Sequence, residues 1–122
     1  MKFKKCMKCG ALVEVINDCI CDDCGITCCN SQMVELKPNS SDGAVEKHKP
    51  EYVVNGLEMK ITVNHVMEEN HYIMWIKVVN GESVYTKKFK PGDKAELTVP
   101  YTSGAVIYSY CNIHGLWETT VE

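Results

Sequence analysis

The sequence predicts an all-β protein, in which a small metal-stabilised domain precedes a seven-stranded, immunoglobulin-like antiparallel β-sandwich. Seven of the eight cysteines lie within the first 29 residues, which divides the chain into two chemically different parts. The remainder is rich in Val, Ile, Tyr and Thr, in short runs separated by turn residues. No segment has a convincing helical period, so we expect strands to dominate both parts.

The cysteine-rich part is predicted to span residues 1–37, because Lys37–Ser41 (KPNSS) has the composition of a linker. So short a segment buries too little apolar surface to fold without a metal, disulfides or a partner. We expect strands at Ala11–Ile16 and Met33–Leu36, and no regular element in Asn17–Asn30. The four N-terminal lysines are expected to form a solvated end.

The second part, residues 38–122, contains seven runs with the composition of strands. Asn55-Gly56 and Asn80-Gly81 are typical of tight hairpin turns, and Pro91-Gly92-Asp93 is another turn. Seven short strands at regular spacing are typical of an antiparallel sandwich. The predicted strands are Tyr52–Asn55, Leu57–Val63, His71–Val79, Ser83–Phe89, Ala95–Val99, Ala105–Cys111 and Leu116–Val121.

The composition argues against several classes of partner. A formal net charge of −3 provides no basic field for nucleic acid. No apolar run approaches the roughly 18 to 20 residues that span a membrane. The N-terminal MKFKKCMKCG has no apolar stretch after its lysines, so we expect no signal peptide and a cytoplasmic, reducing location.

The clustered cysteines are predicted to bind a metal rather than to form a disulfide framework. Cys28 and Cys29 are adjacent and badly placed to bridge each other, and a reducing compartment disfavours disulfides. The motifs Cys6-x-x-Cys9 and Cys21-x-x-Cys24 are each followed by glycine. A glycine at this position suits a tight turn that directs backbone N–H groups at metal-bound sulfur.

Two sets of four thiolates are available, and either could hold tetrahedral zinc or a single iron. Paired CxxC motifs are the commoner arrangement, and from the residues alone they are favoured. Adjacent side chains tend to diverge, so Cys28 and Cys29 reach one metal only if the sulfur–metal–sulfur angle opens. The two sets are Cys6, Cys9, Cys21 and Cys24, or Cys6, Cys9, Cys28 and Cys29.

All four histidines fall in or beside predicted loops, and one belongs to the motif Cys111-x-x-His114. His65 and His71 bracket a single loop, and His48 precedes the sandwich. One histidine alone is more often a surface or core residue than a ligand, but the joint pattern favours a metal site. The Cys-x-x-His pair could also be half of a structural zinc site. A blue-copper site needs a methionine shortly after the motif, and GLWETTVE contains none.

Six segments of the sequence match the pattern of one known family. They are CMKCG, CCNSQM, LKPNSSDGAVEKHKP, HVMEENHYIMWI, FKPG and YCNIHGLW. They cover most of the chain in order, and EKH, HxMEExHYIxW and CNIHG are highly specific. On these segments the sequence resembles the desulfoferrodoxins, the two-iron form of superoxide reductase. The resemblance implies an N-terminal desulforedoxin-like domain with an Fe(Cys)4 centre and an immunoglobulin-like domain with a five-coordinate Fe(His)4(Cys) centre.

The resemblance also implies the ligands of both centres. The family's adjacent cysteine pair precedes a segment like SQMVELKPN, as it does here, and this outweighs the preference for paired CxxC motifs. The first centre would then use Cys6, Cys9, Cys28 and Cys29. The second would use His48, His65, His71 and His114 as equatorial ligands and Cys111 as the axial thiolate.

The sequence departs from the family pattern in the first domain. The stretch from Cys9 to Cys28 is a few residues longer than is usual in the family. It contains three additional cysteines that could be idle thiols, and two of them could compete for the metal. The additional residues are Cys19, Cys21 and Cys24.

The activity that the resemblance implies is the reduction of superoxide by one electron and two protons to hydrogen peroxide, without release of oxygen. Lys47 is expected to attract superoxide and help protonation, and Glu46 to bind the oxidised iron in the resting state. The axial thiolate is expected to favour release of peroxide. The resemblance further implies a homodimer, a rubredoxin-like electron donor and a role in oxidative-stress defence in an anaerobe.

The alternative is a non-catalytic metalloprotein, either an electron carrier or a zinc-stabilised binding module. Redox-inert zinc could not serve at the second centre of a reductase, so that centre is expected to hold iron. The first centre could hold iron or zinc. It would either relay electrons or stabilise a domain that has little core of its own.

Overall fold

The computed structural model describes residues 1–21 and 25–122. Over these residues the chain forms twelve strands and one helical turn, so the all-β prediction is confirmed. The chain divides into two compact units, Met1–Lys37 and Pro38–Glu122.

The first unit is built from very short strands. They are β1 (Lys2–Lys5), β2 (Leu12–Val15), β3 (Thr27–Cys28), β4 (Ser31–Gln32) and β5 (Val34–Glu35). Three of them form an antiparallel sheet in the order β2-β1-β5, and β3 pairs with β4 in a separate hairpin.

Two predictions for this unit need correction. Lys2 and Lys8 are exposed as expected, but the segment is more than a solvated end, because Lys2–Lys5 is the central strand of the sheet and its Phe3 is 2% exposed. A four-residue strand with one apolar position alternates too briefly for its period to be recognised. The segment predicted to be irregular likewise contains β3, whose two residues are too few to produce any pattern.

The second unit is the predicted seven-stranded sandwich. Its strands are β6 (Glu51–Asn55), β7 (Glu58–Thr62), β8 (Ile73–Asn80), β9 (Ser83–Lys88), β10 (Glu96–Pro100), β11 (Val106–Cys111) and β12 (Gly115–Thr120). One antiparallel sheet has the order β10-β7-β6 and the other the order β12-β11-β8-β9. Apolar side chains of β7, β8, β10 and β11 form one continuous core between them.

In both Asn-Gly hairpins, the glycine is the first of the two central residues of the turn. Asn55 pairs with Glu58 and Asn80 pairs with Ser83, so each asparagine is the last residue of its strand. Gly56 and Gly81 have φ of +66° and +61°. A positive φ at the first central position is what a type II′ turn requires, and glycine supplies it without strain.

Strand β8 contains a β-bulge near its first residue. Tyr110 pairs with Trp75 and Cys111 with Ile73, so one residue of β8 has no counterpart on β11. The extra residue allows both Ile73 and Ile76 to be buried in the core although their spacing is odd. Cys111 is itself part of this core and is fully buried.

One short helix, α1 (Val45–His48), precedes the sandwich. The sequence did not predict it, since four residues are too few to display a 3.6-residue period. None of the helical structure in the described part of the chain has the length and apolar character of a membrane-spanning segment.

Candidate metal centres

Five donor side chains of the second unit converge on one point. They come from the end of α1, from the loop between β7 and β8, and from the end of β11 with the turn that follows it. Each offers one nitrogen or sulfur atom, and all five atoms lie within 4.8 Å of one another. The five residues are His48, His65, His71, Cys111 and His114.

The four imidazole rings are arranged as a square in the order His65, His48, His114, His71. Centroids of neighbouring rings are 4.6, 4.7, 5.1 and 4.5 Å apart, whereas His48 and His71, on a diagonal, are separated by 6.3 Å. The donor nitrogens along three sides are 3.1, 3.0 and 3.3 Å apart. Two donors about 2.1 Å from one ion and at right angles would be about 3.0 Å apart. The histidine nitrogens therefore have the spacing of neighbouring ligands of one metal ion.

Cys111 approaches this square as a fifth donor. Its Sγ lies 3.5 Å from Nε2 of His65 and 3.8 Å from Nδ1 of His114. The backbone N–H of His114 donates to the same sulfur at 3.3 Å. This hydrogen bond and the two short distances hold the sulfur beside the ring nitrogens, where it could serve as a fifth ligand.

Hydrogen bonds fix which nitrogen of two histidines faces the centre. Nδ1 of His48 lies 2.7 Å from the carbonyl oxygen of Ala44, and Nδ1 of His65 contacts the carbonyl of Val66. Because a carbonyl only accepts, each Nδ1 carries the proton, and each neutral ring presents a bare Nε2 lone pair. Burial lowers the pKa of His48 and of His65, which favours this neutral form. Two lone pairs face each other at 3.1 Å, so the arrangement suits a bound cation.

Asn112 joins the two loops that carry the ligands, and the sequence analysis did not single it out. Its Oδ1 accepts from the N–H of Tyr72 at 3.0 Å, and its Nδ2 donates to the carbonyl of Asn70 at 3.0 Å. Its own N–H donates to the carbonyl of Tyr72 at 3.3 Å. This fixes the His71 segment beside Cys111. Asn112 lies inside the CNIHG motif, so its position in that motif was the sequence feature that indicated a role at the site.

Gly43 packs directly against two of the rings, and a side chain there would displace them. A Cβ at Gly43 would lie 2.8 Å from Cε1 of His48 and 3.0 Å from Cβ and Cγ of His114. We expect Gly43→Ala to weaken metal binding at this centre by about 10- to 100-fold, as disturbed supporting residues typically do. The measurement is competition for the metal by a chelator.

Gly25→Ala is the matched control for this prediction. The three atoms nearest to its new Cβ all belong to the flexible end of Gln32, and neither glycine has a positive φ. Unchanged metal affinity in the Gly43→Ala protein would show that the rings have room to adjust.

Four cysteines of the first unit form a second group of donors. Their sulfur atoms lie within 4.8 Å of one another. Sγ of Cys9 is 3.6 Å from Sγ of Cys28, which in turn is 3.9 Å from Sγ of Cys29. A tetrahedron with metal–sulfur bonds of about 2.3 Å has edges of about 3.8 Å, whereas a disulfide is about 2.05 Å long. The group, Cys6, Cys9, Cys28 and Cys29, therefore has the dimensions of a tetrahedral metal site.

The backbone explains how two adjacent cysteines face the same point. Cys29 and Asn30 have φ of +55° and +60°, a left-handed conformation that is rare outside glycine. It turns the side chain of Cys29 towards that of Cys28 instead of away from it. A 3.9 Å sulfur separation corresponds to a sulfur–metal–sulfur angle of about 116°, slightly wider than tetrahedral, for bonds of about 2.3 Å.

Neighbouring groups shift the pKa values of two thiols of this group in opposite directions. The backbone N–H groups of Cys9 and Lys8 lower the pKa of Cys6 to about 6. Hydrogen bonding with the sulfurs of Cys9 and Cys6 raises the pKa of Cys28 to about 12. Cys6 is thus favoured as a thiolate, whereas Cys28 is held protonated. A bound cation would allow the remaining thiols to ionise.

The other cysteines of the first unit lie outside this group. Cys19 and Cys21 are not among the converging donors. Cys21 is an exposed thiol, whereas Cys19 is disulfide-bonded, so the expectation of an idle thiol is wrong for Cys19. Cys24, the fourth member of the paired-CxxC set, lies outside the described residues. Cys6 and Cys9 therefore converge with Cys28 and Cys29, and Cys21 does not join them.

Glu46 and Lys47 lie on α1, immediately before His48, and both are exposed. The carboxylate of Glu46 is near enough to His48 to act against the lowering of its pKa, although burial has the larger effect. Neither side chain belongs to the group of converging donor atoms. Glu46 also lines a surface cavity of about 470 Å³ between α1 and β6.

The chain is similar to known proteins over most of its length. A family model described as desulfoferrodoxin matches residues 40–120. A desulfoferrodoxin homolog of Methanothermobacter thermautotrophicus is 42% identical over 118 residues and covers 93% of each chain. A desulfoferrodoxin of Desulfarculus baarsii is 40% identical over 122 residues, which are 97% of this chain and 94% of the relative.

The fold is also found in a solved structure. The crystal structure of the superoxide reductase from Treponema pallidum superposes with a TM-score of 0.70. The match covers 97% of this chain and 98% of that chain. Sequence identity is 23%, so this similarity is evidence for the fold alone.

Proposed function

This chain belongs to the desulfoferrodoxin family, and on that premise we propose that its histidine–cysteine centre reduces superoxide to hydrogen peroxide. The observation that supports the proposal most strongly is the square of four imidazole nitrogens with the Cys111 sulfur as a fifth donor atom. Iron bound there would supply the electron and a free coordination position for the substrate. The chain shares its fold with a protein that is named a superoxide reductase.

The residues of the centre suit this chemistry. Carbonyl groups hold the protons of His48 and His65 on the outer nitrogens, so the inner nitrogens are ready to bind an ion without first losing a proton. The N–H of His114 donates to the sulfur of Cys111, which would bind the ion as the fifth donor. Five protein donors would leave an ion that takes six ligands one position for superoxide.

The proposal gives α1 two further roles. Lys47 would attract the superoxide anion and help to deliver protons to the product. Glu46 would act as a sixth ligand of the oxidised iron in the resting state. Both side chains are exposed on the turn that ends at His48, so both have room to move.

Replacement of Lys47 by alanine should slow the encounter with superoxide. A charge near a binding site raises the association rate of an opposite charge by about 10-fold or more, and salt screens this effect. We expect the second-order rate constant to fall about 10-fold at low ionic strength, with a smaller loss at high ionic strength. The measurement is the oxidation rate of the reduced protein by superoxide over a series of salt concentrations.

Lys49→Ala is the control, because it removes the same charge from an exposed residue at the end of the same turn. If both variants lose the same factor, the effect is one of net charge and Lys47 has no specific role.

The cysteine centre would relay electrons or stabilise its unit. Iron is the metal that supports both functions, whereas zinc would support only the second. We further propose that the protein works as a homodimer in the cytoplasm of an anaerobe and receives electrons from a rubredoxin-like donor.

The experiment that tests the proposed function compares the iron-loaded with the zinc-loaded protein. Protein purified without oxygen should contain iron at the histidine–cysteine centre, with an absorption band distinct from that of a tetrahedral thiolate centre. Only the iron form should consume superoxide. Zinc at this centre in freshly purified protein would favour a zinc-stabilised binding module, and iron without superoxide consumption would favour an electron carrier.

A further inference from the structure

The helical turn that carries His48 is too short to hold its own position. α1 has four residues, and Ala44 at its N-cap makes no side-chain hydrogen bond. Isolated helices shorter than about 12 residues are marginal in water, so contacts with the sandwich have to place this turn. The placement matters because Nε2 of His48 lies 3.0 and 3.1 Å from two other donor atoms.

Strand β11 supplies one such contact from a completely buried hydroxyl. Ser109 is 0% exposed, and its Oγ donates to the carbonyl oxygen of His48 at 2.8 Å. Ser109 lies two residues before Cys111, so the alternation of the strand places both side chains on the same face. One strand therefore carries the fifth donor and also holds the main chain of a second ligand.

Strand β12 supports the same segment. Trp117, the cross-strand partner of Ser109, stacks on the ring of His48 with a centroid distance of 5.1 Å and an interplanar angle of 22°. Oγ1 of Thr119 donates to the carbonyl oxygen of Pro50 at 2.6 Å, and Pro50 is fully buried. Two hydroxyls and one aromatic ring thus fix the three residues that begin with His48.

We propose that Ser109 is a positioning residue for the histidine–cysteine centre. Its hydroxyl holds the main chain at His48, so that Nε2 stays in register with the other donors. The inference rests on the proposed metal centre, but it does not depend on which reaction the metal performs. A buried carbonyl that loses its donor is strongly disfavoured, so the turn should shift to find another partner. Supporting residues of this kind typically change metal affinity by about 10- to 100-fold.

The test measures the release of Fe(II) from the full-length, iron-loaded protein to a chelator in the absence of oxygen. Ser109→Ala should release iron from the histidine–cysteine centre about 10- to 100-fold faster than the wild type, and from the cysteine centre at the wild-type rate. Ser109→Thr retains the hydroxyl and should recover most of the difference. Ser83→Ala removes an exposed hydroxyl from the same sheet and should change nothing.

Unfolding of the metal-free protein separates positioning from general stability. If Ser109→Ala releases iron at the wild-type rate, or loses as much stability without metal as with it, Ser109 does not position the centre. If Ser109→Ala fails to fold, Thr119→Val replaces it. That variant should also accelerate iron release, by a smaller factor, and a wild-type rate would overturn the proposal. If the Ser109 variants release iron faster but the wild-type protein does not consume superoxide, the proposed reaction is refuted and the positioning role of Ser109 stands.

Discussion

A Cys111→Ser variant is expected to keep its fold and to lose nearly all superoxide reduction. Cys111 is fully buried at the end of β11, and serine fills almost the same space. A serine hydroxyl does not ionise near neutral pH, so the strongly donating thiolate would be lost from the metal. We expect the rate constant for the reaction with superoxide to fall by at least about 100-fold. Loss of a residue that only supports a metal ligand typically lowers activity by about 10- to 100-fold, and Cys111 would be a ligand itself. Stopped-flow oxidation of the reduced protein by superoxide measures this rate constant.

Cys21→Ser is the matched control for this substitution. Cys21 is exposed and lies outside both groups of converging donors, so its loss should leave the rate unchanged. The absorption band of the histidine–cysteine centre should disappear or shift only in the Cys111 variant. A Cys111→Ser protein that reduces superoxide at the full rate would show that the thiolate has no part in the reaction.

A Cys29→Ser variant should lose the metal of the first unit and, with it, the fold of residues 1–37. Only three apolar side chains of the described part of this unit are buried, Phe3, Cys6 and Met33, so the core alone is too small to support it. Binding of a structural metal contributes about 10 to 16 kcal/mol in comparable small domains, and that free energy is also folding free energy. Metal content should fall by one ion per chain, and limited proteolysis should remove the N-terminal segment.

The sandwich provides the internal control in this experiment. Its thermal unfolding and the absorption of its own centre should not change, because its core is formed by its own residues. The cysteine centre would instead be formed by the paired CxxC motifs if the Cys29→Ser protein kept the metal of the first unit and the Cys21→Ser protein lost it.

The sandwich could be predicted from the sequence because its strands carry strong local signals. β8 and β11 are long apolar runs, and glycine turns separate their neighbours at regular intervals. β1 could not be predicted because its position depends on two partner strands rather than on its own residues. The helix α1 was missed for a similar reason, since it depends on contacts with β11 and β12.

The donor residues could likewise be named from the sequence, but their geometry could not. Histidine and cysteine at loop positions are visible in the primary structure, and CNIHG is a strong local motif. The order of the rings depends on contacts between residues far apart in the chain, such as His48 and His114. The roles of Gly43 and Ser109 depend on the same long-range contacts. The convergence of Cys28 and Cys29 depends on a left-handed residue that is not glycine, which no composition rule predicts.

The central claim is that the histidine–cysteine centre reduces superoxide rather than dismutating it. The most direct test is the product stoichiometry when reduced, iron-loaded protein reacts with a limiting amount of superoxide in the absence of oxygen. Reduction predicts one hydrogen peroxide for each superoxide, one electron removed from the protein, and no oxygen. Half a peroxide and half an oxygen for each superoxide, with the protein still reduced, would contradict it.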